Sequence, residues 1–309
     1  MDVITTDNLT RRFGPVTAVD GISFSVAEGE LFGLVGSDGA GKTTTLRMLA
    51  GILDPTAGDA WVAGRHTVRE AKQLRGAIGY MSQRFGLYPD LSVQENIDFY
   101  ADLFGIPPRG RAKTIDRLLA FSNLTPFRRR LAGNLSGGMK QKLGLACALV
   151  HTPTVLLLDE PTNGVDPLSR RDFWRILHGL LREGVTIVVA TAYLDEAERC
   201  HRVALVHDGR LLACAPPAEL QGLMRGTILE VRTPAVRQAV RLLREGTAAL
   251  AVGRFGERLH LVTDNAAQLT GDVVRVMAQA GLVVDDIRPI EPSLEDVLVS
   301  VLANREPPP

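Results

Sequence analysis

Three cysteines in 309 residues, Cys147, Cys200 and Cys214, are too few for a disulfide framework and show no metal-ligand spacing. They point to a reduced, cytosolic compartment. Net charge is lacking as well. Lys plus Arg equals Asp plus Glu at 35 each, a formal charge of +0, so no global field draws the chain to nucleic acid or acidic lipid. No apolar run approaches the roughly 18 residues a spanning helix needs. The acidic start Met1-Asp2-Val3 leads straight into a strand pattern, without the character of a signal peptide. If this protein serves a membrane, another chain is expected to cross it.

What is present is an ordinary globular composition, 45% hydrophobic and 23% charged, in a chain long enough for a large domain plus a smaller one. Val3 to Val26 alternates apolar and polar residues with breaks at Gly14-Pro15 and Asp20-Gly21, which predicts antiparallel strands at a sheet edge. Leu31 to Gly36 predicts a short buried strand. From Leu87 to Leu149 the character turns helical, with Ser92 and Glu95 in capping-box spacing and Pro107-Pro108 breaking the chain before an Arg111 to Phe121 helix. The runs Val155 to Leu158 and Val185 to Ala190 are continuously apolar, as strands covered on both faces must be, so the central sheet is expected to be parallel.

After Pro216-Pro217 a new segment begins: strand Ile228 to Val231, helix Ala235 to Leu243, a hairpin around Gly256, helix Ala266 to Ala280 and strand Leu282 to Ile287. That order, βαββαβ, is a compact ferredoxin-like pattern. Ser293 and Asp296 share capping-box spacing at the start of a last helix, and Pro307 to Pro309 reads as a frayed tail.

Gly36-Ser37-Asp38-Gly39-Ala40-Gly41-Lys42-Thr43 matches G-x-x-x-x-G-K-[ST] between a predicted strand and a predicted helix. In that setting backbone N–H groups curl around phosphate oxygens, Lys42 reaches the β- and γ-phosphates, and the Thr43 hydroxyl ligates Mg²⁺. Asp159 ends the second apolar strand, where α/β sheets place ligand groups, and Glu160 follows it. Downstream of a phosphate loop, Asp159 is expected to hold Mg²⁺ through its water shell and Glu160 to polarise the attacking water. Leu135-Ser136-Gly137-Gly138-Met139 opens a helical run and reads either as a simple helix cap or as a second anion site.

The phosphate loop, Gln83, Leu135-Ser136-Gly137-Gly138 and Asp159-Glu160, in this order and spacing, resemble the nucleotide-binding subunits of ABC transporters. The resemblance covers roughly residues 3 to 220. It implies a head-to-tail dimer, of one chain or of two different ones, sandwiching two ATP molecules, with Ser136, Gly137 and Gly138 acting in trans on ATP held by residues 36–44, Thr44 included. It further implies Phe13 stacked on adenine, Gln83 sensing Mg²⁺ and the attacking water, and Asp166 crossing the dimer interface. Arg84 to Tyr88 would border the groove that receives a membrane permease.

The remainder resembles the C-terminal domain of drug and antibiotic exporters with ABC-2 type permeases, and Pro292-Ser293-Leu294-Glu295-Asp296-Val297 resembles the closing signature of that group. Within it the chain is similar to the first nucleotide-binding half of tandem exporter ATPases. The implied fold class is α/β: a P-loop NTPase core of the ABC type with an antiparallel β subdomain and a helical subdomain at about 87–149, occupying 1–221. A small α+β domain for dimerisation or regulation would follow at 222–304, then a disordered tail at 305–309. The implied function is ATP hydrolysis that powers export of a drug-like, antibiotic or lipid substrate, from the inner face of the cell membrane.

Two positions depart from the family. Where it usually carries a histidine that contacts the γ-phosphate and steadies the catalytic glutamate, this chain has Ala192, and a methyl group cannot donate that hydrogen bond; loss of one such donor typically costs about a hundred- to a thousandfold in rate. Slow hydrolysis, asymmetric sites shared with a different subunit, or a non-hydrolysing ATP-gated clamp are the expected consequences. Asp38 stands where Asn is usual and is expected to face solvent or a partner. Ribosomal and DNA-repair relatives carry tandem domains or a long coiled-coil insertion, which this chain lacks, so no nucleic-acid partner is expected.

Overall fold

The structure, a computed structural model, describes residues 1–83, 86–222, 224 and 226–297, with Phe255 described by its backbone alone. Arg84 and Phe85 of the expected coupling segment, the last helix beyond residue 297 and the 305–309 tail lie outside the described residues. The chain divides into two compact units, Met1–Pro216 and Pro217–Pro309.

The first unit opens with β1 (Asp2–Phe13), β2 (Val16–Ile22) and β3 (Ser25–Ala27), followed by β4 (Leu31–Val35), α1 (Lys42–Leu49), β5 (Ala57–Val62) and β6 (Arg65–His66). It continues through α2 (Ala71–Leu74), β7 (Ile78–Met81), α3 (Val93–Leu103), α4 (Pro108–Phe121), α5 (Gly137–Ala148) and β8 (Val155–Asp159). It closes with α6 (Pro167–Arg182), β9 (Thr186–Thr191), α7 (Leu194–Ala197), β10 (Arg202–His207) and β11 (Arg210–Ala215). β1, β2, β3, β5 and β6 form an antiparallel sheet. Asp20-Gly21, expected to break a strand, instead lies inside β2: Gly21 adopts φ 65 and the β1–β2 register shifts between Leu9 and Arg11, so the turn-forming dipeptide makes a bulge.

The central sheet has the order β11-β10-β4-β9-β8-β7 and is parallel apart from the β10–β11 hairpin. Every residue of β4, β8 and β9 is buried, which is why these strands read as continuous apolar runs. Their ends are in register, Val35 opposite Thr191 and Asp159 opposite Ala190. The segments that leave β4, β8 and β9 therefore emerge side by side at the carboxyl edge of the sheet. The helical segment α3–α5 begins with the expected capping box, Ser92 with Glu95, and α4 is non-helical at Arg109 and Gly110, so its regular part starts at Arg111.

The second unit comprises α8 (Pro217–Gly222), β12 (Thr227–Arg232), α9 (Val236–Gly246), β13 (Ala251–Phe255), β14 (Arg258–Thr263), α10 (Ala266–Gln279) and β15 (Asp286–Ile290). Its antiparallel sheet has the order β13-β14-β12-β15. Leu229, Val231, Leu259 and Leu261 pack with Ala239 and Leu243 of α9 and Leu269, Val273 and Met277 of α10 in one core. By strand alternation the opposite face carries Glu230, Arg258, His260 and Arg288. The last strand starts later than the sequence suggests. Gly281, at φ 68, closes α10 in a Schellman arrangement with Leu282 N–H donating to Met277 O, so Leu282 and Val284 pack on the core before pairing with β12 begins at Asp286. The Ser293–Asp296 capping box is present: each backbone N–H donates to the other's side-chain oxygen.

Candidate functional site: a phosphate loop facing paired carboxylates

The loop after β4 is shaped by its glycines. A Cβ on Gly36 would lie 2.1 Å from Val206 O, and one on Gly41, which adopts φ 98, would lie 2.4 Å from Ala18 O. No larger residue fits either place, so the loop is held tightly between β2 and β10 and delivered to the N-terminus of α1. There Lys42, 4% exposed, donates from Nζ to Gly36 O at 2.9 Å and Ser37 O at 3.0 Å. The loop thus wraps its own ammonium, with the α1 dipole adding positive potential. Ser37, Asp38 and Gly39 are exposed, Ala40 is buried, and Thr43 and Thr44 are half-buried in the first turn of α1.

Across from the loop, the end of β8 supplies two carboxylates. Asp159 is 1% exposed and accepts hydrogen bonds from Thr43 Oγ1 at 2.9 Å and Tyr80 Oη at 3.4 Å. Burial pushes its carboxyl above the usual range, the Thr43 hydrogen bond opposes this, and the neighbouring Glu160 charge adds to it. Glu160 sits at φ 49, with its N–H donating to Ala190 O at 2.9 Å. Its carboxylate accepts from Gln83 Nε2 at 2.8 Å and Asn163 Nδ2 at 3.0 Å, and Lys42 Nζ lies 3.6 Å away. Lys42, Thr43, Gln83, Asp159 and Glu160 are therefore brought together in one connected cluster.

The donor set suits a hard cation beside phosphate. Thr43, Asp159 and Gln83 offer only oxygen ligands, and among the described residues no group of three or more His, Cys, Asp or Glu could hold a metal alone. That is the chemistry of Mg²⁺, which keeps several waters and takes further oxygens from phosphate.

The other predicted residues lie elsewhere. Phe13, at the end of β1, is 46% exposed with the Arg11 guanidinium 4.6 Å over its ring. Ser136 caps α5, accepting from Met139 N–H at 3.4 Å, and a Cβ on Gly138 would lie 2.5 Å from Ser169 Cβ. Asp166 caps α6 and accepts from Ser169 N–H at 2.9 Å; that hydrogen bond holds its carboxyl below the usual range. The start of α5, with Ser136 and Gly138, thus lies against the start of α6, which Asp166 caps. Ala192 and Asp38 are exposed. Two contacts were missed from sequence, Tyr80 on Asp159 and Asn163 on Glu160. The position of Tyr80 on the strand next to β8 and the turn-forming Thr162-Asn163-Gly164 were the available signals.

A family model described as ABC transporter matches residues 19–163. YbhF of Escherichia coli (strain K12), a probable multidrug ABC transporter ATP-binding protein, is 45% identical over 288 residues, 93% of this chain and 48% of that protein. The chain thus spans about half the length of that relative. The Nod factor export ATP-binding protein I of Burkholderia pseudomallei (strain 1710b) is 39% identical over 276 residues, 88% of each chain. Among solved structures, cbiO1 from Clostridium perfringens, part of the ABC transporter complex cbiONQ, matches with TM-score 0.66 and 28% identity over 72% of this chain and 91% of that one. A dimeric ATP-binding cassette, MJ0796, in a post-hydrolysis state bound to ADP and Pi, matches with TM-score 0.63 and 26% identity over 69% and 98%.

Proposed function

The chain belongs to the ABC transporter ATPase family, and from that premise we propose that it hydrolyses ATP to power export through a separate membrane permease of the ABC-2 type. The observation that carries the reading is the cluster at the edge of the central sheet: a loop-wrapped Lys42 lies 3.6 Å from Glu160, beside a Thr43–Asp159 hydrogen bond of 2.9 Å. Residues 36–44 bind the triphosphate, with Lys42 on its β- and γ-oxygens. Thr43, Gln83 and Asp159 would hold Mg²⁺, which would supply positive charge beside the phosphates. Glu160 orients the attacking water and takes its proton as the water oxygen bonds to the γ-phosphorus. The bond from that phosphorus to the bridging oxygen breaks, and its electron pair leaves on ADP.

In this reading Phe13 stacks on adenine, worth on the order of 1 to 3 kcal/mol by analogy with base platforms. Ser136, Gly137 and Gly138 close on the ATP of a second nucleotide-binding subunit, identical or different, with Asp166 at the interface. The MJ0796 cassette, solved as a dimer, supports that arrangement. The unit after residue 216 is read as a ferredoxin-like domain that serves dimerisation or regulation, a reading its sheet order β13-β14-β12-β15 supports; the functional domains are taken as 1–221 and 222–304. Among the described residues no helix is long and apolar enough to cross a membrane, in keeping with a subunit docked on the inner face of one. The transported molecule is drug-like, antibiotic or lipid, following the multidrug and Nod factor exporters named above.

The test is nucleotide binding and phosphate release with Lys42→Ala. Loss of both is expected, and a variant that binds and hydrolyses ATP like the parent would overturn the site. A second reading, favoured by Ala192, is a weakly hydrolysing ATP-gated assembly partner; it predicts that the parent chain binds ATP with Mg²⁺ yet releases no phosphate even with its permease present.

A further inference from the structure

Ala192 presents only a methyl group at the end of β9, so whatever steadies Glu160 in this chain must come from other side chains. The structure identifies them. Gln83 and Asn163 both donate to the same oxygen, Oε2, at 2.8 Å and 3.0 Å. Oε1 is left facing Lys42 Nζ at 3.6 Å, on the phosphate-loop side. A glutamate carboxylate otherwise turns freely about its last torsion, so two amide donors on one oxygen fix which oxygen meets the substrate.

Asn163 is in turn oriented by the residue that follows the methyl. Tyr193 Oη lies 3.5 Å from Asn163 Oδ1. A carboxylate only accepts, so Asn163 must present Nδ2 to Glu160 and Oδ1 to Tyr193, and a hydroxyl donating to Oδ1 selects that orientation over the flipped amide. Tyr193 is itself fastened. Its N–H donates to Thr191 Oγ1 at 3.0 Å, and the Arg170 guanidinium lies 4.3 Å over its ring. Arg170 sits 3.5 Å from Glu196, a fully buried carboxylate that also accepts hydrogen bonds from Thr191 at 2.9 Å and from Thr162. A packed chain of contacts therefore runs from the interior, through Arg170 and Tyr193, to Asn163 and Glu160.

We propose that Asn163 and Tyr193 are positioning residues for Glu160 in this protein, taking over through an amide and a phenol the steadying of that glutamate which a histidine at position 192 would provide through an imidazole. This rests on the reading of Glu160 as the group that takes the proton from water. Asn163 holds Oε2; Oε1 accepts the proton as the water oxygen bonds to the γ-phosphorus and ADP departs. Tyr193 touches no reacting atom and acts only by holding the Asn163 amide.

The experiment measures steady-state phosphate release by the full chain, with kcat and KM for ATP determined separately and melting temperature as a control for folding. Asn163→Ala is expected to lower kcat by about ten- to a hundredfold, with KM changed less than about twofold; the ceiling is what loss of one pre-organised donor costs. Asn163→Ser, which restores a hydroxyl donor, should recover part of the loss. Tyr193→Phe, which removes a single oxygen, should lower kcat by about three- to tenfold. The double variant should be no slower than Asn163→Ala alone, because both changes break one chain. In an Ala192→His background the Tyr193→Phe effect should shrink. Single variants within about twofold of the parent, or a double variant whose loss is the product of the two, would overturn the proposal. A Glu160→Gln variant that keeps the parental rate would instead remove the underlying reading of Glu160, which separates the two failures.

Discussion

Asp159 in the first unit and Glu230 in the second are both buried carboxylates, and they are held in opposite ways. In the first, Asp159 is 1% exposed, yet its nearest partners are the hydroxyls of Thr43 and Tyr80 and the like charge of Glu160. Burial dominates and its carboxyl is raised. In the second, Glu230 is 3% exposed but accepts from Arg258 at 2.8 Å and Arg288 at 2.9 Å, with Arg232 at 3.4 Å. Burial pushes its carboxyl up, the guanidinium groups overcome that, and the net effect is a lowered one. Asp296 follows the same rule: burial is outweighed by hydrogen bonds from His260 and Ser293. A carboxylate neutralised by its own chain is finished as a structural element. One left with hydroxyl partners is costly until something cationic arrives, which is where function concentrates.

That contrast is broken most forcefully at Glu160. Glu160→Gln keeps the size and can still be held by Gln83 and Asn163, but it removes the proton acceptor. We expect kcat to fall by about a hundred- to ten-thousandfold, the range for general acid–base groups, while ATP binding persists, as checked by phosphate release beside nucleotide binding. A variant of the second unit should do the reverse. Glu230→Gln leaves Arg232, Arg258 and Arg288 without their shared counter-charge. Because these arginines are half-exposed, solvent softens the loss to about 1 to 3 kcal/mol, below the cost of breaking a fully buried pair. Urea unfolding should register it with little change in phosphate release per site. A large loss of hydrolysis without loss of stability would sink the division of labour.

The chemistry of the first unit was legible in sequence because backbone conformation demands it. Gly36 and Gly41 have no room for a Cβ, Lys42 and Thr43 follow at fixed spacing, and Asp159 ends a run that could only be a buried strand. What stayed hidden are contacts set by turns and by pairing across space. Asn163 reaches Glu160 because Glu160, at φ 49, opens a turn in which the Asn163 N–H donates back to Glu160 O at 3.2 Å. His260 meets Asp296 at 2.8 Å because strand alternation points it away from the helices, to the face where the 293–297 segment lies. Leu282 and Val284 alternate like a strand, yet the Schellman closure of α10 spends them on core packing first. Asp20-Gly21 has turn chemistry, and the sheet absorbed it as a bulge.

The smallest predicted effect is also the one that separates the units without a mutation. For Glu230 and Asp296, whose carboxyls are lowered in the folded state, stabilisation is full above the ordinary carboxylate range and is lost as pH falls through their folded values. For Asp159 the sign is opposite: its raised carboxyl makes the folded state the better proton acceptor, so acidification through that value adds stability. The first unit also carries lowered carboxyls, Glu95 and Asp166, but both are exposed helix-cap residues whose contribution solvent screens, and the second carries one raised by burial, Glu295. Through the buried Glu230 and Asp296, lowering pH from about 7 to about 4 should weaken the second unit more than the first. The chain reports them separately, because its two tryptophans, Trp61 and Trp174, both lie in the unit Met1–Pro216. Tryptophan fluorescence follows that unit alone, whereas far-ultraviolet circular dichroism follows both. At neutral pH the two urea transitions should lie close together. Near pH 4 the dichroism transition should broaden or begin at lower urea than the fluorescence transition, because Glu230 and Asp296 lose their partners first. Coincident transitions at both values would mean that these carboxylates contribute nothing separable to folding.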